Sequence, residues 1–160
     1  MSNQKLITIC IATYNRSEIV TNLIKSLLSF ELNNEIEILV IDDYSSDNTS
    51  ENLSQFSDVP NVSVYRNQQN LSRARTQLKY FNLCKTEFLV TLADDDYLLK
   101  DGLLELLDLL PKLDVDFLST RWIGPDGSFH QGRGSDKVQD ISLTNLRTSS
   151  EHAFGCVFRA

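Results

Sequence analysis

Apolar and polar positions alternate between two periods along the first 120 residues, and the alternation spells out strands and helices in turn. KLITICIAT at 5–13 is rich in β-branched residues and breaks at Tyr14 and Asn15, the pattern of a strand entering a loop. Ser17 stands where an N-cap is expected, and Ile19, Val20, Leu23, Ile24, Leu27 and Leu28 then recur at helical spacing. IEILVI at 36–41 is an almost unbroken apolar run, as in a strand covered by helices on both faces of a parallel sheet, and it ends in Asp42 and Asp43. SSDNTSENLSQF predicts a short helix capped by Asp47 or Asn48, and VSVYR at 62–66 a third strand.

A helix over 71–84 carries Leu71, Ala74, Leu78, Phe81 and Leu83, after which EFLVTLA at 87–93 runs as a strand into Asp94, Asp95 and Asp96. GLLELLDLLPKL then reads as a helix stopped near Pro111, DFLSTRWI as a strand and PDG at 125–127 as a turn. Beyond Gly124 the periodicity weakens: QGRGSD at 131–136 is loop-like, a short helix is expected around 142–148 and a last strand at 153–159. The strict alternation predicts an α/β fold with an open, mostly parallel sheet and helices on both faces, whose ligands sit beyond the carboxyl ends of the strands.

Length and charge narrow the function. One domain is expected from 160 residues with 41% apolar content, and 22 acidic against 15 basic residues leave no general field for nucleic-acid phosphates. Cys10, Cys84 and Cys156 lie far apart, which suits thiol packing better than a disulfide framework or zinc spacing. No apolar run reaches the roughly 18 residues of a membrane span, and MSNQKLITI lacks a signal-peptide core, so the expected compartment is the cytoplasm.

Both acidic clusters fall at strand carboxyl ends, so Asp42, Asp43 and Asp94–Asp96 are expected to converge across a crevice. A single acidic pair after a strand commonly does no more than cap a helix or face water. Two such clusters at matching positions argue for more, because gathered carboxylates repel and a hard divalent cation, Mg²⁺ or Mn²⁺, is the usual offset. The central Gly and terminal Glu of a calcium-binding EF-hand are missing, as are the glycine patterns of phosphate-cradling loops.

Four segments in order, ITICIATYNR (7–16), ILVIDDYSSDNT (38–49), NLSRAR (70–75) and EFLVTLADDDYL (87–98), resemble the family 2 type of GT-A glycosyltransferases. The resemblance implies a GT-A, Rossmann-like fold and transfer, with inversion, from a nucleotide-diphosphate sugar of the UDP, GDP or dTDP type to a saccharide or lipid-linked acceptor. It implies that Ala12, Thr13 and Tyr14 line the nucleotide pocket, that Asp43 accepts from the base, and that Arg75 matches the family's arginine with Arg73 as a weaker companion. Ala93 stands where many members have the first carboxylate of an Asp-x-Asp motif, which makes Asp95 the best metal ligand with Asp96 beside it, and Asp94 a partner either of the ribose or of the groups that surround the metal ligands. Strand alternation alone would instead group Asp94 with Asp96.

In the mechanism implied, Mn²⁺ or Mg²⁺ bridges the two phosphates and neutralises the charge that develops on the leaving nucleoside diphosphate. The resemblance places the catalytic base beyond AFGCVFRA, hence beyond Ala160, so the acceptor and base region is expected to be incomplete in this chain. Glu151 and His152 are weak substitutes, since a lone Glu or His in a poorly patterned segment is ordinarily structural or solvated. Arg121 and Trp122 are candidates to border an acceptor sugar, against a core role for Trp122, and His130 reads as a solvated loop residue. A lipid-carried acceptor would put the complete enzyme at the membrane surface. The competing readings are a noncatalytic nucleotide-sugar-binding module, a nucleotidyltransferase, which would need a glycine-rich basic loop where ATYNRSEIV has no glycine, and a phosphoacceptor domain, which would need acids after the first strand.

Overall fold

The computed structural model describes residues 5–114, 116–119, 122–123, 129–130 and 156–160. Strands β1 (Ile7–Thr13), β2 (Ile36–Asp42), β3 (Val62–Arg66) and β4 (Phe88–Ala93) alternate with helices α1 (Ser17–Leu28), α2 (Thr49–Leu53) and α3 (Arg73–Leu83). Helix α4 (Lys100–Leu109) follows, then the short strands β5 (Phe117–Ser119), β6 (Trp122–Ile123), β7 (Phe129–His130) and β8 (Cys156–Arg159). Six strands form one sheet in the order β3-β2-β1-β4-β8-β5, and β6 pairs with β7 apart from it. The first four are mutually parallel, whereas β8 runs antiparallel to both β4 and β5. The mostly parallel α/β sheet expected from the alternation is therefore present.

Strand period two sorts the core into two layers. Ile7, Ile9 and Ile11 of β1 and Ile36, Ile38 and Val40 of β2 pack with Val20, Leu23, Ile24 and Leu27 of α1, and with Leu53 and Leu103 of α2 and α4. On the opposite face Cys10, Leu39, Ile41 and Leu89 meet Tyr80 of α3. Both faces of β1, β2 and β4 are thus covered, which is why these strands read as nearly continuous apolar runs. Each fully buried Ile or Leu contributes roughly 1.5–3 kcal/mol of transfer free energy, so these central strands dominate the stability.

Two details of the elements differ from expectation, at Ser17 and in α3, while the cap of α2 and the end of α4 fall where expected. Ser17 is the first residue of α1 rather than its cap, and its Oγ accepts from Asn52 Nδ2 at 2.6 Å, tying α1 to α2. Asn48 is the N-cap of α2, while Asp47 accepts the backbone N–H of Thr49 at 3.0 Å. Helix α4 stops at Leu109, just before Pro111 as expected, and Pro111 lies in a short 3-10 turn at Leu110–Lys112, since Pro is tolerated in a first turn. In α3 the buried residues are Thr76 and Tyr80, and Leu78 and Phe81 are exposed.

DFLSTRWI yields β5 and β6, with residues 120–121 between them outside the described set. The last strand is described over Cys156–Arg159, within the expected 153–159. The turn at 125–127, the loop at 131–136 and the helix at 142–148 lie outside the described residues, as do Arg121, Glu151 and His152. Trp122 and His130 are described as paired backbone of β6 and β7. Cys10 and Cys84 are free thiols. Among the described residues no helix is long and apolar enough to cross a membrane.

Candidate functional site

The sheet register brings three strand ends flush. Thr13 pairs across from Asp42, Ala12 from Ala93, and β1 lies between β2 and β4. From β1 the chain winds to β2 and β3 on one side and reaches β4 on the other, so the carboxyl end of β1 is a topological switch point, where loops diverge and leave a crevice. A cleft of about 390 Å³ opens there, walled by Ala12, Thr13 and Tyr14 at the end of β1, Asp43 just past β2, Leu92, Ala93, Asp94 and Asp95 at the end of β4, and Arg73, Thr76, Gln77 and Tyr80 from α3. Arg16 completes the wall.

Alternation along β2 separates its two terminal acids. Asp43 continues the α3 face of Leu39 and Ile41 and meets α3, whereas Asp42 continues the opposite face. Asp43 is buried, and its Oδ1 accepts from Asn67 Nδ2 at 2.7 Å, Thr76 Oγ1 at 2.8 Å and the backbone N–H of Leu71 at 2.9 Å. None of these bonds uses Oδ2. Asp42 is structural: its Oδ1 accepts the N–H of Ser45 at 2.9 Å, and Oδ2 lies 3.6 Å from Arg66 Nε. Of the expected convergence, Asp43, Asp94 and Asp95 line the cleft and Asp42 does not.

Strand β4 ends at Ala93, and Asp94 and Asp95 form a turn, so strand alternation does not extend through the triple aspartate. Asp94 is buried and held at both oxygens, with Thr13 Oγ1 donating to Oδ2 at 2.8 Å and Arg16 Nη1 to Oδ1 at 2.9 Å. The same Nη1 donates to Asp95 Oδ2 at 2.8 Å. Asp94, and then Asp95, raise the Arg16 pKa and keep the guanidinium firmly charged. Partial desolvation of the Asp96 carboxyl and the adjacent charge of Asp95 push its pKa up, opposed by Arg73.

Among the described residues no three His, Cys, Asp or Glu side chains form a ready cage for an ion. The donor set nevertheless fits Mg²⁺ or Mn²⁺ held by one or two carboxylates together with substrate phosphates, because Asp95 is over half exposed at the cleft and Asp96 adjoins it.

Helical geometry sets the two arginines of NLSRAR apart. Arg73, Thr76, Gln77 and Tyr80 are spaced i, i+3, i+4 and i+7 and share the face that walls the cleft. Arg75 is exposed and outside that wall. Ala12, Thr13, Tyr14, Asp43, Asp94 and Asp95 are all brought to the cleft, whereas Asp96, next in the chain, is not part of its wall. Sequence reasoning missed Arg16, Thr76, Gln77 and Tyr80. The i+3, i+4 and i+7 positions after Arg73 were the available signal for the last three, and the basic residue closing TYNR was the signal for Arg16.

The mostly parallel sheet with an acidic cleft at its switch point, walled by a helix on one side, matches the GT-A architecture of glycosyltransferases. The chain belongs to glycosyl transferase family 2, whose model matches residues 8–158. It is 35% identical over 101 residues to abequosyltransferase RfbV of Salmonella typhimurium, covering 61% of this chain and 30% of that protein. It is 29% identical over 116 residues to an uncharacterised glycosyltransferase, the MG060 homolog of Mycoplasma pneumoniae, covering 70% and 39%. The chain thus spans 30% and 39% of the length of these curated relatives.

Among solved structures, S. aureus TarS 1-349 superposes with a TM-score of 0.77 at 22% identity, covering 96% of this chain and 47% of that one. Mannosyltransferase PcManGT from Pyrobaculum calidifontis, in complex with GDP-Man and Mn²⁺, gives 0.64 at 16% identity, covering 72% and 35%. These likenesses are of fold.

Proposed function

We propose that this chain is the donor-binding part of a metal-dependent, inverting glycosyltransferase, which transfers a sugar from a nucleotide-diphosphate sugar to a saccharide or lipid-linked acceptor. The observation that carries the reading is the cleft at the switch point, with Asp43 at one side and the Asp94–Asp95–Arg16 cluster at the other. Its volume suits a ligand of nucleotide size. Family membership supports the transfer chemistry, and the neighbours' complexes with UDP-GlcNAc, and with GDP-Man and Mn²⁺, support the donor class and the metal.

In this reading Asp43 uses Oδ2 to accept from the base, since its other oxygen is engaged by Asn67, Leu71 and Thr76. Ala12, Thr13 and Tyr14 form the nucleotide wall, and Asp94, fixed by Thr13, faces the ribose. Asp95 and Asp96 would hold the divalent ion, which when bound neutralises diphosphate charge. Arg73, which walls the cleft, rather than Arg75, which does not, is the α3 arginine aimed at the donor. A carboxylate accepting the acceptor hydroxyl proton is required for inversion.

Calorimetric titration of UDP, GDP and dTDP into the purified protein, with Mn²⁺ and with chelator, tests the reading. Metal-dependent binding of one nucleotide, lost in Asp95→Ala, is expected. Absence of binding to a folded chain would refute a donor site here.

A further inference from the structure

The loop after β1 fixes the origin of Arg16. Asn15 adopts a positive φ of 52°, its N–H donates to Ser45 Oγ at 2.9 Å, and its Oδ1 accepts the N–H of Ser46 at 2.7 Å. Ser17 on the other side begins α1 and is bonded to Asn52. Arg16 is therefore anchored at its backbone, while its side chain, 44% exposed, retains room to swing. Its Nη1 bridges Asp94 and Asp95 at 2.9 and 2.8 Å.

The two carboxylates depend on that bridge unequally. Asp94 keeps Thr13 at its other oxygen and stays oriented without Arg16. Asp95 is more than half exposed and is drawn into the cluster by the guanidinium. A divalent ion approaching Asp95 is repelled by the guanidinium charge already bound at Oδ2. A diphosphate in the cleft offers the guanidinium anionic oxygens of matching geometry.

We propose that Arg16 is a built-in counter-cation: it closes the Asp94–Asp95 pair in the free protein and moves onto the diphosphate when metal and nucleotide enter together. The inference rests on the reading of the cleft as a metal–diphosphate site. It makes the two ligands interdependent, and linkage requires the nucleotide to raise metal affinity by the same factor as the metal raises nucleotide affinity. Arg16 is thus a positioning residue that suppresses idle metal loading.

The test is Mn²⁺ binding by electron paramagnetic resonance of the free ion, to wild type, Arg16→Gln and Arg16→Lys, without nucleotide and with UDP or GDP. Circular dichroism establishes that each variant is folded. Without nucleotide, Arg16→Gln is expected to bind Mn²⁺ about three- to tenfold more tightly, given the modest strength of half-exposed ion pairs. Arg16→Lys, which keeps the charge but loses the guanidinium geometry, is expected between wild type and Gln. The enhancement of Mn²⁺ affinity by nucleotide should shrink in Arg16→Gln.

Mn²⁺ affinity unchanged in both variants overturns the proposal. So does tighter Mn²⁺ binding with the nucleotide enhancement intact in Arg16→Gln, because Arg16 then does not move to the diphosphate. Nucleotide binding to none of the three proteins overturns the donor-site reading itself, and with it the transfer of Arg16.

Discussion

Replacing Asp43 tests whether this carboxylate organises the cleft as well as facing its ligand. Three donors converge on its Oδ1, at 2.7 Å from Asn67 Nδ2, 2.8 Å from Thr76 Oγ1 and 2.9 Å from the N–H of Leu71. A hydrogen bond to a charged group is worth about 1.5–3 kcal/mol. The three share one oxygen and are not additive, and Asn67 Nδ2 also donates to Thr76 Oγ1 at 3.0 Å, a contact that survives the substitution. The expected loss in Asp43→Ala is therefore about 3–4 kcal/mol rather than the full sum. Asp43→Asn retains an oxygen in the same place and should lose about 1–2 kcal/mol. A domain stable by ~5–15 kcal/mol still folds with either change. Urea unfolding followed by circular dichroism, with linear extrapolation, measures both variants. Asp43→Asn, once folded, should bind the nucleotide at least about tenfold more weakly, a change of ~1.4 kcal/mol. The reasoning is refuted if Asp43→Ala costs less than about 1 kcal/mol, or if Asn costs as much as Ala.

Two further substitutions follow from the loops that flank the cleft. The folded Asp96 carboxyl titrates above its ordinary value of 3.8 because of desolvation and the Asp95 charge, so its contribution to stability is fully present below 3.8 and is lost as pH rises through the folded pKa. Asp96→Asn, which cannot ionise, should therefore be more stable than wild type near neutral pH, with the advantage fading as pH falls toward 3.8. Thermal melts across a pH series check the sign, and an advantage that grows in acid contradicts it. Ser72, which precedes α3, sits at φ 66°, ψ 156°, a region that costs a non-glycine residue roughly 1–3 kcal/mol. Ser72→Gly relieves that strain against an unfolded-state entropy cost of ~0.5–1 kcal/mol, so a net gain of about 1 kcal/mol and a melting temperature higher by roughly 2–4 °C are expected. A lower melting temperature would show that the serine backbone is not strained.

The order of strands and helices, the parallel core and the placing of acids at strand ends were all readable from the chain, because each depends on local periodicity. IEILVI could only be a strand covered on both faces, and Asp42 and Asp43 had to follow it. The site's membership was readable in part through TYNR, DD and ADDD. The family resemblance, carried by segments in a fixed order, was legible for the same reason. What each side chain touches was decided by packing between distant segments. Whether Asp42 or Asp43 enters the cleft depends on which sheet face α3 covers, and α3 begins 30 residues later. The helical register, which follows from where Ser72 turns the chain, put Arg73 in the cleft wall and left Arg75 outside it. Arg16 reaches Asp94 and Asp95 across 78 and 79 residues only because β1 and β4 are neighbours in the sheet. Periodicity is a property of consecutive residues, whereas the partners of a charge are set by which strands lie side by side.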